Sequence, residues 1–136
     1  MAVLLSISNL PMALGWDSAG STWYGAPNGD GSDGGACQFG SVSGPPYSSM
    51  IAAGNNAMYN NGQGCGNCYM VRCTSSPSCS GNEVKVVITD LCPDAQCNAE
   101  AVHFDFSGTA VGAMAIPGRE DELRNVGIIP VEYERC

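Results

Sequence analysis

Basic side chains are scarce in this sequence of 136 residues: lysine and arginine number 5 against 13 aspartates and glutamates, a formal net charge of −8. Lys85 is the only lysine. Nucleic-acid binding needs clustered Lys and Arg to neutralise phosphates, and anionic membrane surfaces attract the same clusters. The composition therefore argues against both nucleic acid and membrane as partners.

The sequence also lacks an apolar run long enough to span a membrane, and it has no Asn-x-Ser/Thr glycosylation signal. Residues 2–7 are apolar but short, no basic region precedes them, and Pro11 follows soon after. We therefore interpret residues 1–18 as a poorly ordered leader or signal remnant. Residues 19–136 are expected to form one domain with a modest core.

Only 13% of the residues are charged, and 18 are glycine, which is typical of a turn-rich β protein. The clearest strand covers residues 83–90, where Val84, Val86 and Ile88 share one face. Other strands are predicted over 21–24, 37–42, 65–73, 102–106 and 128–135, with helical segments over 107–115 and 120–124. Residues 47–53 are predicted as strand or one helical turn, and 55–64 as loop. The pattern predicts an all-β fold, a small closed barrel with one or two short helices.

Eight cysteines in so short a chain indicate disulfides and an oxidising compartment. Cys65 and Cys68 are three apart in an extended segment, so they should face opposite sides and find different partners. Two other pairs flank turns and can close small loops: Cys73 with Cys79, and Cys92 with Cys97. Zinc is the rival interpretation of Cys-x-x-Cys, but a second such motif and a second histidine are missing. We expect no metal and no cofactor.

His103 and Asp105 are two apart in a predicted strand, so they project together while Phe104 and Phe106 point into apolar packing. An imidazole beside a carboxylate above a hydrophobic layer can tune the protonation of that carboxylate. Thr22 and Tyr24 share a face of the first strand in the same way. Trp23 should then point into the core or lie on the other side of a cleft.

Six motifs in order resemble the expansins over residues 18–136, and residues 25–29 and 73–79 resemble the β-expansins, the branch that includes group-1 grass pollen allergens. The motifs are Thr22-Trp23-Tyr24-Gly25, Gly34-Gly35-Ala36-Cys37, Gly64-Cys65-Gly66-Asn67-Cys68-Tyr69, Val87-Ile88-Thr89-Asp90, His103-Phe104-Asp105 and Gly108-Thr109-Ala110-Val111-Gly112-Ala113-Met114-Ala115.

The resemblance implies a six-stranded, disulfide-stapled double-psi β-barrel, similar to family-45 glycoside hydrolases and barwin-like proteins. It also implies secretion to the plant cell wall, where a monomer loosens contacts between cellulose and xylan-type matrix glycans without cutting them. Three disulfides follow from the resemblance: Cys37–Cys65, Cys68–Cys136 and Cys73–Cys79. Cys92 and Cys97 would form an extra pair that the pollen proteins lack, and the sequence leaves that pairing open.

Asp105 matches the general acid of the hydrolase relatives, with Asp90 as its partner. Glycoside hydrolysis normally needs a second carboxylate. The place of that carboxylate reads Gly25-Ala26-Pro27 here, which favours polysaccharide binding over catalysis, so we expect no enzyme activity. The expected groove is lined by Thr22, Trp23, Tyr24, Asp33, Asp90, His103 and Asp105. Asp33 is alternatively a turn residue, and Asp90 a structural hydrogen-bond acceptor at a strand end.

Expansins usually carry a second, cellulose-binding domain, and we expect none after Cys136. Pollen β-expansins are basic, whereas this chain is acidic, so a strongly anionic substrate is not expected. Two alternatives remain. One is a single-domain extracellular binding or signalling protein of the barwin-like or plant natriuretic peptide kind. The other is a weak family-45-like endoglucanase.

Overall fold

The computed structural model describes residues 15–136, and most of the predicted leader lies outside them. In this part of the chain six strands close into a barrel in the order β1-β5-β2-β4-β3-β6. The strands are β1 Asp17–Tyr24, β2 Ile51–Gly54, β3 Cys68–Arg72, β4 Val84–Leu91, β5 His103–Ser107 and β6 Val131–Arg135. The helices are α1 Asn56–Tyr59, α2 Gly108–Met114 and α3 Glu120–Val126, and a 3₁₀ turn covers Asn60–Gly62.

Two strand pairs are parallel, β1 with β5 and β2 with β4, while the other neighbours are antiparallel. This closed arrangement confirms the predicted six-stranded double-psi β-barrel and its all-β class. Within residues 15–136, no helix has the length and hydropathy needed to cross a bilayer.

The period-2 pattern of β5 is confirmed, because Phe104 and Phe106 are fully buried in the barrel core. Their rings stack with centroids 5.2 Å apart, and the Tyr69 ring meets Phe104 edge-on at 5.3 Å. Val86 and Ile88 of β4 are also fully buried, as their alternation predicts. The opposite face of β5 is thereby left for His103 and Asp105.

Helix α2 begins where its sequence predicts. Ser107 caps it by accepting a hydrogen bond from the Ala110 amide at 3.0 Å. A Cβ at Gly108 would overlap the carbonyl oxygens of Ala26 and Pro27. The small residue therefore lets the helix start directly against the loop that follows β1.

Two predictions of local structure are wrong. Residues 37–42 form a loop, in which Gln38 and Gly40 take positive φ angles of 60° and 78°, outside the β region of regular strands. Residues 55–64 contain α1, because Asn55 accepts a hydrogen bond from the Met58 amide at 3.1 Å and caps a turn. The strand predicted within 47–53 begins only at Ile51.

All eight cysteines are paired. The three disulfides implied by the resemblance are present, Cys37–Cys65, Cys68–Cys136 and Cys73–Cys79, and Cys92 pairs with Cys97 in a fourth. The Cys68–Cys136 bridge spans 68 residues and joins β3 to the residue after β6. In the chain-entropy account, closing so long a loop stabilises the fold by about 4 kcal/mol. Cys68 and Cys65 have different partners, as expected.

Candidate functional site

Thr22, His103 and Asp105 meet on the outer face of the parallel β1–β5 pair. Thr22 is the register partner of Asp105, and Gly20 is that of His103. The Thr22 hydroxyl donates to Asp105 Oδ1 over 2.9 Å and lies 2.9 Å from His103 Nε2. The structure therefore brings these three side chains together.

The Asp105 carboxyl is partly buried beside the almost fully buried imidazole of His103. Burial raises the pKa of Asp105 above its ordinary value, while the Thr22 hydrogen bond and the charge of His103 lower it. Asp94 and Asp90 add smaller upward effects on the same pKa. Asp105 is thus a carboxyl group whose protonation depends on its neighbours.

Asp90, at the end of β4, is a strongly bonded acceptor. Its Oδ1 accepts from the amides of Ala36 and Leu91, both at 2.8 Å. Its Oδ2 accepts from the hydroxyls of Ser32 at 2.7 Å and Tyr24 at 3.3 Å. Burial, together with the nearby carboxylates, raises the pKa of Tyr24 above its ordinary value, so Tyr24 acts as a hydrogen-bond donor.

Strand β2 lies between the two carboxylates, because Ala53 pairs with Asp105 of β5 on one side and with Asp90 of β4 on the other. The buried Ala53 packs against Tyr24 and the Cys92–Cys97 disulfide. We call Thr22, Tyr24, Asp90 and Asp105, with Ala53 beneath them, the carboxylate site.

The Cys92–Cys97 disulfide borders the carboxylate site. Its two sulfur atoms and a carboxylate oxygen of Asp105 lie within 4.8 Å of one another. Because the sulfurs are bonded to each other, they offer no thiolate to a metal ion. Among the described residues this grouping is therefore a packing contact.

Asp33 and Trp23 were predicted to join this site, and the structure places both in other contacts. Asp33 Oδ1 accepts from the Val42 amide at 3.0 Å, a bond that lowers the pKa of Asp33. A hydrogen bond to Asp33 in turn raises the pKa of Asp30. Trp23 packs against the core and donates to the Arg124 carbonyl at 2.9 Å.

Sequence reasoning missed Ser32 and Glu100. Ser32 lies in a glycine-rich loop and reaches Asp90 only because that loop folds back over β4. Glu100 Oε1 lies 2.9 Å from His103 Nδ1. Glu100 precedes β5 in an irregular segment, where no periodicity indicates the direction of a side chain. The available signal was the spacing of three residues between an acid and the only histidine.

Comparisons with known proteins agree with this fold. Residues 51–133 match the double-psi β-barrel family described as lytic transglycolase. Expansin-B11 of rice, Oryza sativa subsp. japonica, is 56% identical over 128 residues, which are 93% of this chain and 44% of that protein. The chain therefore spans somewhat under half the length of this curated relative.

Two solved structures share the fold at low sequence identity. An expansin from Clavibacter michiganensis in complex with cellohexaose is 24% identical, with a TM-score of 0.63 over 90% of this chain and 50% of that one. A β-1,4-D-endoglucanase from the blue mussel Mytilus edulis is 22% identical, with a TM-score of 0.57 over 90% of this chain and 80% of that one. The motifs, the barrel, the four disulfides and these similarities together establish that the chain belongs to the double-psi β-barrel family and, within it, to the β-expansins.

Proposed function

We propose that the protein binds a wall polysaccharide at the carboxylate site and loosens cellulose–matrix contacts without hydrolysis. The observation that supports the proposal is that the two carboxylates, Asp90 and Asp105, differ in the number of hydrogen bonds they already accept. Asp90 accepts from four donors, whereas Asp105 has one side-chain donor among the described residues, Thr22. Asp105 therefore keeps an oxygen available for a ligand hydroxyl.

This inequality favours binding over cleavage. Hydrolysis of a glycoside normally needs two carboxyl groups flanking the bond, one as acid and one as base or nucleophile. Asp90 is occupied by its four donors, and Asp33 is bound to the Val42 amide. Asp105 can accept from a sugar hydroxyl, while the second partner needed for bond cleavage is lacking among these carboxylates.

The proposed location is the extracellular plant cell wall. Four disulfides suit an oxidising compartment. Wall glycans such as cellulose and xylan-type matrix polysaccharides are the proposed partners, and a cellohexaose complex of an expansin with this fold supports a glucan in particular. The proposed acting unit is a monomer, and a second, cellulose-binding domain would strengthen its attachment to the wall.

Weak endoglucanase activity is the second candidate, and one observation favours it. Burial raises the pKa of Asp105, which is the property that a general acid needs to be protonated near neutral pH. This candidate requires a base other than Asp90. The barwin-like signalling alternative is not favoured, because the residues at the carboxylate site are of the expansin type.

Binding can be tested by nuclear magnetic resonance with soluble cellohexaose and xylohexaose. We expect chemical-shift changes centred on Thr22, Asp105 and Ala53, and a weakening of affinity by roughly tenfold or more in Asp105→Asn, since one charge-assisted hydrogen bond contributes about 1.5–3 kcal/mol. Glu83→Gln is the matched control, because it removes a carboxylate charge from an exposed loop position. Shift changes elsewhere, or equal affinity in both variants, would contradict the proposal.

A further inference from the structure

Glu100 and His103 extend the carboxylate site into a continuous line of hydrogen bonds. The half-exposed carboxylate of Glu100 lies 2.9 Å from His103 Nδ1, and the imidazole is 1% exposed. His103 Nε2 lies 2.9 Å from the Thr22 hydroxyl, which lies 2.9 Å from Asp105 Oδ1. Two side chains, His103 and Thr22, therefore connect the solvent-facing Glu100 with Asp105.

The backbone around Glu100 is shaped to hold this contact. A Cβ at Gly20 would overlap the Glu100 carboxylate, although the φ of Gly20 lies outside the left-handed region. A side chain at position 20 would therefore displace the Glu100 carboxylate from its place beside His103. The Asn55 amide also donates to the carbonyls of Glu100 and Ala101, at 3.1 and 3.2 Å, and fixes this segment.

A surface pocket of about 300 Å³ lies beside Glu100. Its lining includes Gly20, Glu100, Val102 and Pro130. The Glu100 end of the line of hydrogen bonds therefore faces this open pocket. Asp105 lies at the other end of the line, beyond His103 and Thr22.

The number of available hydrogen atoms determines which group donates in each of these hydrogen bonds. Thr22 has one hydroxyl hydrogen, which it gives to the ionised Asp105, so His103 Nε2 must donate to Thr22. Two acceptors cannot face each other at 2.9 Å, so a further proton lies between His103 Nδ1 and Glu100. With Asp105 ionised, the ring and Glu100 together hold two protons.

We propose that Glu100 and His103 form a proton relay, which exchanges protons between the solvent pocket and Asp105 through the Thr22 hydroxyl. When Asp105 loses its proton, that proton passes to Thr22 Oγ while the Thr22 hydrogen passes to His103 Nε2. The ring then carries a proton on each nitrogen between two carboxylates. Its Nδ1 proton passes to the Glu100 carboxylate, and the half-exposed Glu100 side chain turns away from the ring and gives that proton to water, so the two acceptors no longer face each other. The reverse sequence protonates Asp105, and the number of protons is conserved.

Glu100 is in this account a positioning residue that controls the protonation of Asp105. The charged or titratable groups that act on Asp105 are His103, Asp94 and Asp90, and Tyr24 lies nearby on β1. His103 is the one cation among these described groups. Loss of Glu100 removes the anion that stabilises this cation, and Asp105 should then stay protonated to higher pH. The relay operates without a glycan, so it goes beyond the proposed function.

The test follows the Asp105 carboxyl carbon and the His103 ring nitrogens by nuclear magnetic resonance during a pH titration of the unliganded protein. In Glu100→Gln we expect the Asp105 midpoint to rise by about one pH unit, as expected for loss of a nearby opposite charge. Glu83→Gln, which removes the same charge from an exposed loop, should leave the midpoint unchanged.

Gly20→Ala provides a second variant that changes no titratable group. Its methyl group should displace the Glu100 carboxylate and raise the Asp105 midpoint as Glu100→Gln does. An equal midpoint in the original protein and in both variants overturns the relay. A second outcome needs no variant. If His103 Nδ1 in the original protein stays unprotonated from about pH 4 to pH 8 while Glu100 is ionised, the relay is overturned.

Discussion

Thr22 donates its hydroxyl hydrogen to Asp105 across the parallel β1–β5 pair, at a distance of 2.9 Å between direct register partners. The parallel register is what brings a residue of the first strand beside a carboxyl group 83 positions later. Asp90, by contrast, receives two of its four donors from the loop that folds over β4. The two carboxylates therefore have different capacities to bind a ligand.

Asp105→Asn should stabilise the protein at neutral pH. Burial raises the folded-state pKa of Asp105 above the unfolded value of about 3.9. Between the unfolded-state pKa and the higher folded-state pKa, the folded state binds more protons than the unfolded state. The free energy of unfolding therefore falls as the pH rises through this range. The asparagine side chain keeps an oxygen that can accept from the Thr22 hydroxyl, and it removes the free-energy cost of ionising a partly buried carboxyl group. The check is the free energy of unfolding from denaturant titrations at several pH values.

The advantage of Asp105→Asn should disappear below about pH 3.9, where Asp105 is protonated in both states. A variant that is less stable than the original protein at neutral pH, while equal to it in acid, would contradict the raised pKa. Glu83→Gln should show no such pH-dependent gain, because Glu83 is exposed.

Removal of the Cys68–Cys136 disulfide should cost more stability than removal of Cys92–Cys97. The first closes a separation of 68 residues and the second a separation of 5. The chain-entropy account gives about 4 and about 2 kcal/mol, respectively. The measurement is equilibrium unfolding of the two double cysteine-to-alanine variants, which leave no free thiol behind. Equal losses would show that loop length does not determine the effect.

Gly108→Ala should destabilise the fold by about 1–3 kcal/mol, since overpacking against rigid groups is costly. The added methyl group would meet the backbone carbonyls of Ala26 and Pro27, which cannot rotate away as a flexible side chain does. Gly44→Ala is the control, because a Cβ there meets nothing within 4 Å. Thermal unfolding compares the two, and an unchanged midpoint in Gly108→Ala would contradict the tight start of α2.

Local alternation was enough to predict β5 and the shared face of His103 and Asp105, because strand geometry alone determines which side chains of one strand share a face. The position of Thr22 beside them depends on the parallel β1–β5 register, which alternation does not report. The loop over residues 37–42 could not be predicted in this way. Its course depends on positive φ angles at Gln38 and Gly40 and on the hydrogen bond between the Cys37 amide and the Thr89 carbonyl. These are tertiary constraints that hydrophobic periodicity does not report.

Helix α1 and the role of Glu100 were missed for a related reason. Asn55 is one of several polar residues in its segment, and its capping bond is visible only once the backbone is placed. Glu100 reaches His103 because Gly20, far away in sequence, leaves room for it. Gly20 lies just before the strand predicted over residues 21–24 and inside the observed β1, so the sequence prediction held no strand glycine that would indicate this close approach.

The central claim is that Asp105 binds a wall polysaccharide without cleaving it. The most direct measurement is the extension of heat-inactivated wall strips under constant load with the purified protein, with soluble sugar assayed in the same bath. The account predicts extension without sugar release, reduced in Asp105→Asn and retained in Glu83→Gln. Sugar release that disappears in Asp105→Asn would contradict it and establish hydrolysis instead.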